Sequence, residues 1–196
     1  MLIMYKVFKY LFDLIFSTVL LISIIPLLLL VAILIKINSP GPIFFNQKRL
    51  GKDGRLFYLF KFRTMNDCKR DISKQVFDSS EDLTAVGKIL RRFKIDELPQ
   101  VMNVLLGDMS FVGPRPCLPE QLNSFTEIAY YRLKVKPGLT GLAQINGNIY
   151  LSWQERWEYD KYYVQNVNFL LDLKIIIKTI RVIFKGERHF LKKIDE

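Results

Sequence analysis

At 196 residues the chain has room for one compact domain and a membrane element, but not for two large domains. Half of it is hydrophobic and mean hydropathy is +0.14, yet 24% is charged and the net charge is +10, which points to a partner that is itself apolar and anionic, such as a phospholipid surface. One histidine near the C-terminus, His189, and two cysteines, Cys68 and Cys117, without metal spacing exclude a Ser-His-Asp triad, a zinc module and a disulfide scaffold, so any chemistry falls to carboxylates, Lys, Arg and a metal.

The apolar excess sits at the front. From Leu14 to Ile35 run 22 residues without a charge, preceded by Lys6 and Lys9 and followed by Lys36, enough for the roughly 20 residues a bilayer requires. The run is too long for a cleaved signal peptide, and no Ala-x-Ala site follows it. Pro26 removes the hydrogen bond to the carbonyl of Ile22 and predicts a kink or break, with Thr18 and Ser23 able to bond back to carbonyls one turn earlier. Two readings stand open on these residues: a kinked spanning helix, and a re-entrant helix that enters and leaves through one leaflet.

Asn38-Ser39-Pro40-Gly41-Pro42 reads as a stop and a domain boundary. A strand over 43–49, a turn at 51–54 and an aromatic-rich strand over 56–64 follow. The stretch from Lys48 to Arg70 carries eight basic and two acidic residues, and 71–80 reads as a polar loop. Ser79 or Ser80 is placed to cap a helix with Leu83, Val86, Leu90 and Phe93 on one face. A shorter helix starts near Asp96, with Pro99 in its first turn and Gly107 closing it. After the irregular loop of Pro114 and Pro116, a helix is predicted over 119–134, and Gly138, Gly141 and Gly147 mark a flexible loop. Helical patterns resume at 152–164 and 169–184. In the last, Lys174, Lys178, Arg181 and Lys185 form a stripe beside a broad apolar face, which fits either an interfacial helix or an amphipathic helix on a core. Trp153, Trp157, Tyr159, Tyr162 and Tyr163 likewise suit a core face or an interfacial belt.

The sharpest local feature is Ile95-Asp96-Glu97-Leu98-Pro99-Gln100, two adjacent carboxylates among apolar residues, where charge is costly unless paired or metal-bound. Asp96 suits a helix N-cap. It equally suits a carboxylate nucleophile toward phosphorus, with Glu97 as a ligand for Mg²⁺, which takes few carboxylates plus phosphate oxygens. Lys61, Arg63 and Arg115 are placed to neutralise developing phosphoryl charge, and Lys61 and Arg63, two apart on a strand, share a face.

Four strings in order carry a family resemblance: Lys61-Phe62-Arg63-Thr64-Met65, the 95–100 string, the segment from Asn103 to Pro116, and Lys136-Pro137-Gly138-Leu139-Thr140-Gly141-Leu142-Ala143-Gln144. Over nearly its whole length the chain resembles the small monotopic phosphoglycosyl transferases among the bacterial sugar transferases. The resemblance implies transfer of a sugar-1-phosphate from a UDP-sugar to undecaprenyl phosphate with release of UMP, on the cytoplasmic face of the bacterial inner membrane. It implies an α+β, mainly helical monotopic protein, with a proline-broken re-entrant helix over 1–38 and one catalytic domain with interfacial helices over 39–196. It further implies Asp96 as the nucleophile of a covalent phosphosugar intermediate and Glu97 as the Mg²⁺ ligand. Lys61, Arg63, Arg91 and Arg115 would contact phosphates or organise the site, and Asp172 falls at an acidic position of the family. Two departures stand out: Ile25, where the family has Ser before the helix-breaking proline, and Asn148, where it often has Arg.

A membrane-tethered nucleic-acid binder would account for the basicity, and a membrane scaffold for both apolar helices. Neither accounts for the Asp-Glu pair, so nucleic acid is not an expected partner. Oligomeric state and the identity of the sugar are not legible in the sequence.

Overall fold

The computed structural model describes residues 2–66 and 82–190, so the polar loop expected over 71–80 and the caps expected at Ser79 and Ser80 lie outside the described residues. The fold is mainly helical. Helix α1, Leu2–Asn38, runs 37 residues, about 55 Å at 1.5 Å per residue. Its segment Val7–Asn38 is long and apolar enough to cross a membrane, and most of its large side chains are exposed. At Pro26, where a kink or a break is expected, the helical run of α1 is uninterrupted. Proline costs a helix one hydrogen bond and a clash with the preceding turn, a local defect that a long helix can absorb by bending without ending. Thr18 and Ser23 do bond back, to the carbonyls of Leu14 (2.8 Å) and Val19 (2.8 Å).

One face of α1 is packed along the body. Tyr5 and Leu20 touch the main core, built on Phe57, Met109, Phe111, Val112, Tyr163 and Ile175. Val31 and Ile35 form a second cluster with Phe62 and Leu90. Both halves of the helix therefore lie on the same body.

Strands β1 (Phe44–Leu50) and β2 (Leu56–Phe62) make an antiparallel hairpin in the register Phe44 to Phe62 and Leu50 to Leu56. Along β2, Phe57 and Leu59 turn inward while Leu56 and Tyr58 are exposed, so the period of two aims Lys61 inward as well. Helix α2 (Ala85–Arg92) is capped by Thr84, whose Oγ1 accepts from the Gly87 N–H at 2.8 Å. Leu83 bridges to Met65 ahead of this helix, and Phe93 is exposed, so the expected apolar face is shorter than its periodicity suggested. Lys94 then adopts a left-handed conformation (φ 57°), starting a 3-10 helix over Ile95–Gln100 that leads into α3 (Val101–Leu105).

Two expectations are corrected beyond this point. Strand β3 (Ser110–Val112) pairs in parallel with β4 (Gly138–Thr140), so Gly138 stands in a strand, not in a flexible loop. A Cβ on Gly138 would lie 2.1 Å from the Gly113 nitrogen; only glycine permits this approach. Instead of one helix, 119–134 forms two 3-10 segments, Pro119–Ser124 and Ala129–Lys134. Between them Phe125 is extended and its ring packs edge-on to Trp157 (6.1 Å) and Tyr130 (5.5 Å), a tertiary contact that outweighs local helical preference.

Helix α4 (Trp153–Asn166) starts at a reciprocal cap between Ser152 and Glu155, and α5 (Phe169–Lys185) at Asn168. Trp157 and Tyr163 are core, whereas Trp153 and Tyr162 face outward. On α5, Lys174, Arg181 and Lys185 are exposed beside exposed Leu170, Ile180 and Phe184. Lys178 departs from that stripe: its ammonium donates to Asn146 Oδ1 at 2.7 Å.

Candidate active site

The hairpin and the 3-10 helix meet face to face, and their meeting point is charged. Lys61 extends from the inward side of β2 to place Nζ 2.6 Å from Asp96 Oδ2 and 3.7 Å from Glu97 Oε1. Asp96 is 1% exposed, and its Oδ1 has no hydrogen-bond partner among the described residues. The N-cap role open to it in sequence does not hold: Lys94 precedes the 3-10 helix, α3 begins only at Val101, and no side-chain cap is made. Arg115, from the loop after β3, grips Glu97 from the other side, with Nη2 2.8 Å from Oε1 and Nη1 3.5 Å from Oε2. Burial pushes the Glu97 carboxyl up, but Arg115, Lys61 and Lys94 together hold it well below the usual carboxylate range. Both cations thus meet the Asp96-Glu97 pair.

Burying such carboxylates costs several kcal/mol each unless charge and hydrogen bonds offset it. Here the offset is incomplete, because one oxygen of Asp96 is left free. A buried, unpartnered carboxylate oxygen beside two cations can attack an electrophile or take up a metal ion. The donor set fits Mg²⁺, which binds through one or two carboxylates and substrate phosphates. Among the described residues no three His, Cys, Asp or Glu side chains gather as a metal cage, so the substrate would complete the coordination.

The other sequence candidates lie around this centre in different ways. Arg63 follows the last residue of β2, and its guanidinium turns to the end of α1, donating to the Pro40 carbonyl and to Ser39 O (2.8 Å) and Oγ (3.0 Å). Arg91, on α2, donates through Nε to Thr64 Oγ1 at 3.0 Å. Both hold the segment that follows β2. Asp172 on α5 contacts neither Asp96 nor Glu97. It accepts from Tyr5 (2.6 Å), Lys9 (2.5 Å) and Tyr163 (2.8 Å), tying α5 to the start of α1.

Three residues escaped the sequence reading. Arg49 on β1 donates to Pro116 O at 3.3 Å and Gln47 Oε1 at 2.6 Å; burial, then the neighbouring Arg115 charge, pulls it down to about 10. Arg132 donates through Nη2 to Arg115 O at 2.9 Å and pairs with Asp160 at 3.2 Å, both side chains being buried. Burial lifts Asp160 to about 6 against the pull of Arg132 and Arg156. The partners in these contacts stand 67, 17 and 28 residues apart, so no local pattern could have marked them.

Comparison with known proteins gives consistent matches. The profile of the family described as bacterial sugar transferase matches residues 4–186. The uncharacterized sugar transferase EpsL of Bacillus subtilis is 43% identical over 181 residues, which cover 92% of this chain and 89% of that protein. The UDP-glucose:undecaprenyl-phosphate glucose-1-phosphate transferase of Klebsiella pneumoniae is 45% identical over 92% of this chain and 40% of its own length. The UDP-N-acetylgalactosamine-undecaprenyl-phosphate N-acetylgalactosaminephosphotransferase of Aeromonas hydrophila is 41% identical over 82% of this chain and 40% of its own.

Proposed function

We propose, from the premise that the chain belongs to the bacterial sugar transferases, that it moves a hexose-1-phosphate from a UDP-sugar to undecaprenyl phosphate, releasing UMP and starting assembly of a lipid-linked glycan. The observation that carries this reading is the buried Asp96 with one free oxygen, set between Lys61 and the Arg115-bound Glu97. Asp96 Oδ1 attacks the phosphorus that bears the sugar, and the bond to the UMP oxygen breaks with its electron pair leaving on UMP. An oxygen of the lipid phosphate then attacks the same phosphorus and returns Asp96 to its carboxylate form. Two steps let UMP depart before the second anion enters, so the two phosphates never share the site. Lys61 and Arg115 meet the charge that builds on the phosphoryl oxygens. Glu97 would hold Mg²⁺, which when bound supplies neutralisation of the diphosphate.

The reaction belongs at a membrane surface, since its acceptor is a lipid. A one-sided, re-entrant placement of α1 is supported by the contacts of both its halves with one body; the side that suits the reaction is the cytoplasmic face, where UDP-sugars are found. The relatives' names include both glucose and N-acetylgalactosamine, so the choice of sugar follows from pocket detail and not from family membership.

The test is UMP release by the full chain in nanodiscs with undecaprenyl phosphate, Mg²⁺ and a panel of UDP-sugars. One or more sugars should support release, and Asp96→Asn should lower it by about 10³-fold or more, as removal of a nucleophile does. Absence of release with every sugar overturns the reading.

A further inference from the structure

Arg115 grips Glu97 while its own side chain is 43% exposed. A half-exposed arginine loses rotamer freedom when fixed in one geometry, so the backbone that carries it contributes to its aim. That backbone is unusual. Pro114 and Pro116 lack N–H groups, which leaves the loop few donors of its own. It is held instead through four successive carbonyls. Pro114 O accepts from Gly138 N (2.9 Å), Arg115 O from Arg132 Nη2 (2.9 Å), Pro116 O from Arg49 Nη1 (3.3 Å) and Cys117 O from Leu50 N (2.9 Å). The outer two donors are backbone groups of β4 and β1. The inner two are guanidinium groups taken largely out of water.

We infer that Arg49 and Arg132 are positioning residues that act through Arg115, fixing the peptide planes after its Cα so that its guanidinium points at Glu97 and the substrate phosphates. Arg132 is itself fixed, by Asp160 at 3.2 Å and by the Phe125 ring 5.9 Å from its Cζ. Desolvating a guanidinium is far more costly than desolvating a neutral donor to a carbonyl. The two guanidinium groups give the loop stiff planar forks, each held at its far side: Arg49 by Gln47 on its own strand β1, and Arg132 by Asp160 on α4. A displacement of about 1 Å at a phosphate clamp is worth up to 10²-fold in rate. The inference rests on the proposed transfer reaction for its kinetic readout, and on geometry alone for its chemical one.

The test compares wild type with Arg49→Gln and Arg132→Gln, each alone and combined with Arg115→Ala, by UMP release and thermal midpoint. Each single Gln variant should lower kcat about tenfold or more, and less than about twofold further when Arg115 is already absent, while its loss of thermal midpoint is the same in both backgrounds. Arg132→Lys, which keeps one donor, should recover part of the rate. Equal rate losses with and without Arg115 would overturn the inference, because they mark a merely structural role. The chemical readout is phenylglyoxal labelling of Arg115, followed by peptide mass spectrometry. Labelling should run about threefold faster or more in both Gln variants, as an arginine released from a bidentate pair becomes reactive; an unchanged rate overturns the inference. If wild type releases no UMP, the transfer reading fails, and the labelling rates still decide the positioning roles.

Discussion

Side chain by side chain, the centre is an exercise in compensated burial, and Asp160 is the compensation that titrates. Its carboxyl is raised from 3.8 to about 6 by burial, against Arg132 from the facing 3-10 segment and Arg156 on its own helix. A raised folded value means the native state holds the proton more tightly than the unfolded chain. The associated stability is full below pH 3.8 and is lost as pH rises through about 6, by up to about 3 kcal/mol. Wild type should therefore lose unfolding free energy between pH 4 and 7 and Asp160→Asn should flatten that fall, checked by denaturant titration at each pH. Glu97 behaves oppositely: held low by its cations, it stays ionised through that range. Glu97→Gln should release Arg115 and cut UMP formation about 100-fold, with a raised Mg²⁺ requirement in the titration. Lys61 was legible because alternation through Phe57 and Leu59 aims it inward. Arg63 was not, because the strand stops one residue earlier and Ser39 and Pro40 arrive from a distant part of the chain.

Elements with strong local chemistry were readable: the hairpin around Gly51–Gly54, and α4 behind its Ser-x-x-Glu cap. Ser152→Ala should cost about 1 kcal/mol in unfolding free energy and leave turnover unchanged. Elements made by long-range contact were hidden. The β3–β4 pair joins residues 28 apart in parallel through two three-residue strands, too short to carry an alternation pattern. Its glycines read as loop because the sequence does not show the backbone they approach. Gly138→Ala should lower stability by about 3 kcal/mol, since its Cβ meets the Gly113 nitrogen at 2.1 Å and the strands must part. The 119–134 stretch failed for a related reason, Phe125 being drawn out of helix by Trp157.

Across the whole molecule, α1 is the organising element, and its placement can be read directly. With Cys68 and Cys117 replaced, Met4→Cys and Ile37→Cys in sealed vesicles should both react with an impermeant maleimide from the same side; labelling from opposite sides would make α1 a spanning helix. The composition that marked the chain as apolar and basic identified this helix, but not the polar face within it: Tyr5, Lys9, Asp13 and Ser17 recur every four residues, and Asp13 accepts from the Phe111 N–H while Lys9 and Tyr5 meet Asp172. Those partners are made at very different times. Lys9 leaves the ribosome 163 residues before Asp172, which at about 5–20 residues per second is a delay of roughly 8 to 33 seconds. Asp13 waits less, since the Phe111 N–H that it accepts from follows it by 98 residues, so the two charged groups gain their partners in separate steps. The contacts that seat the start of α1 on the body are thus completed only once α5 has been made, when the uncharged run from Leu14 to Ile35 has long been available to lipid.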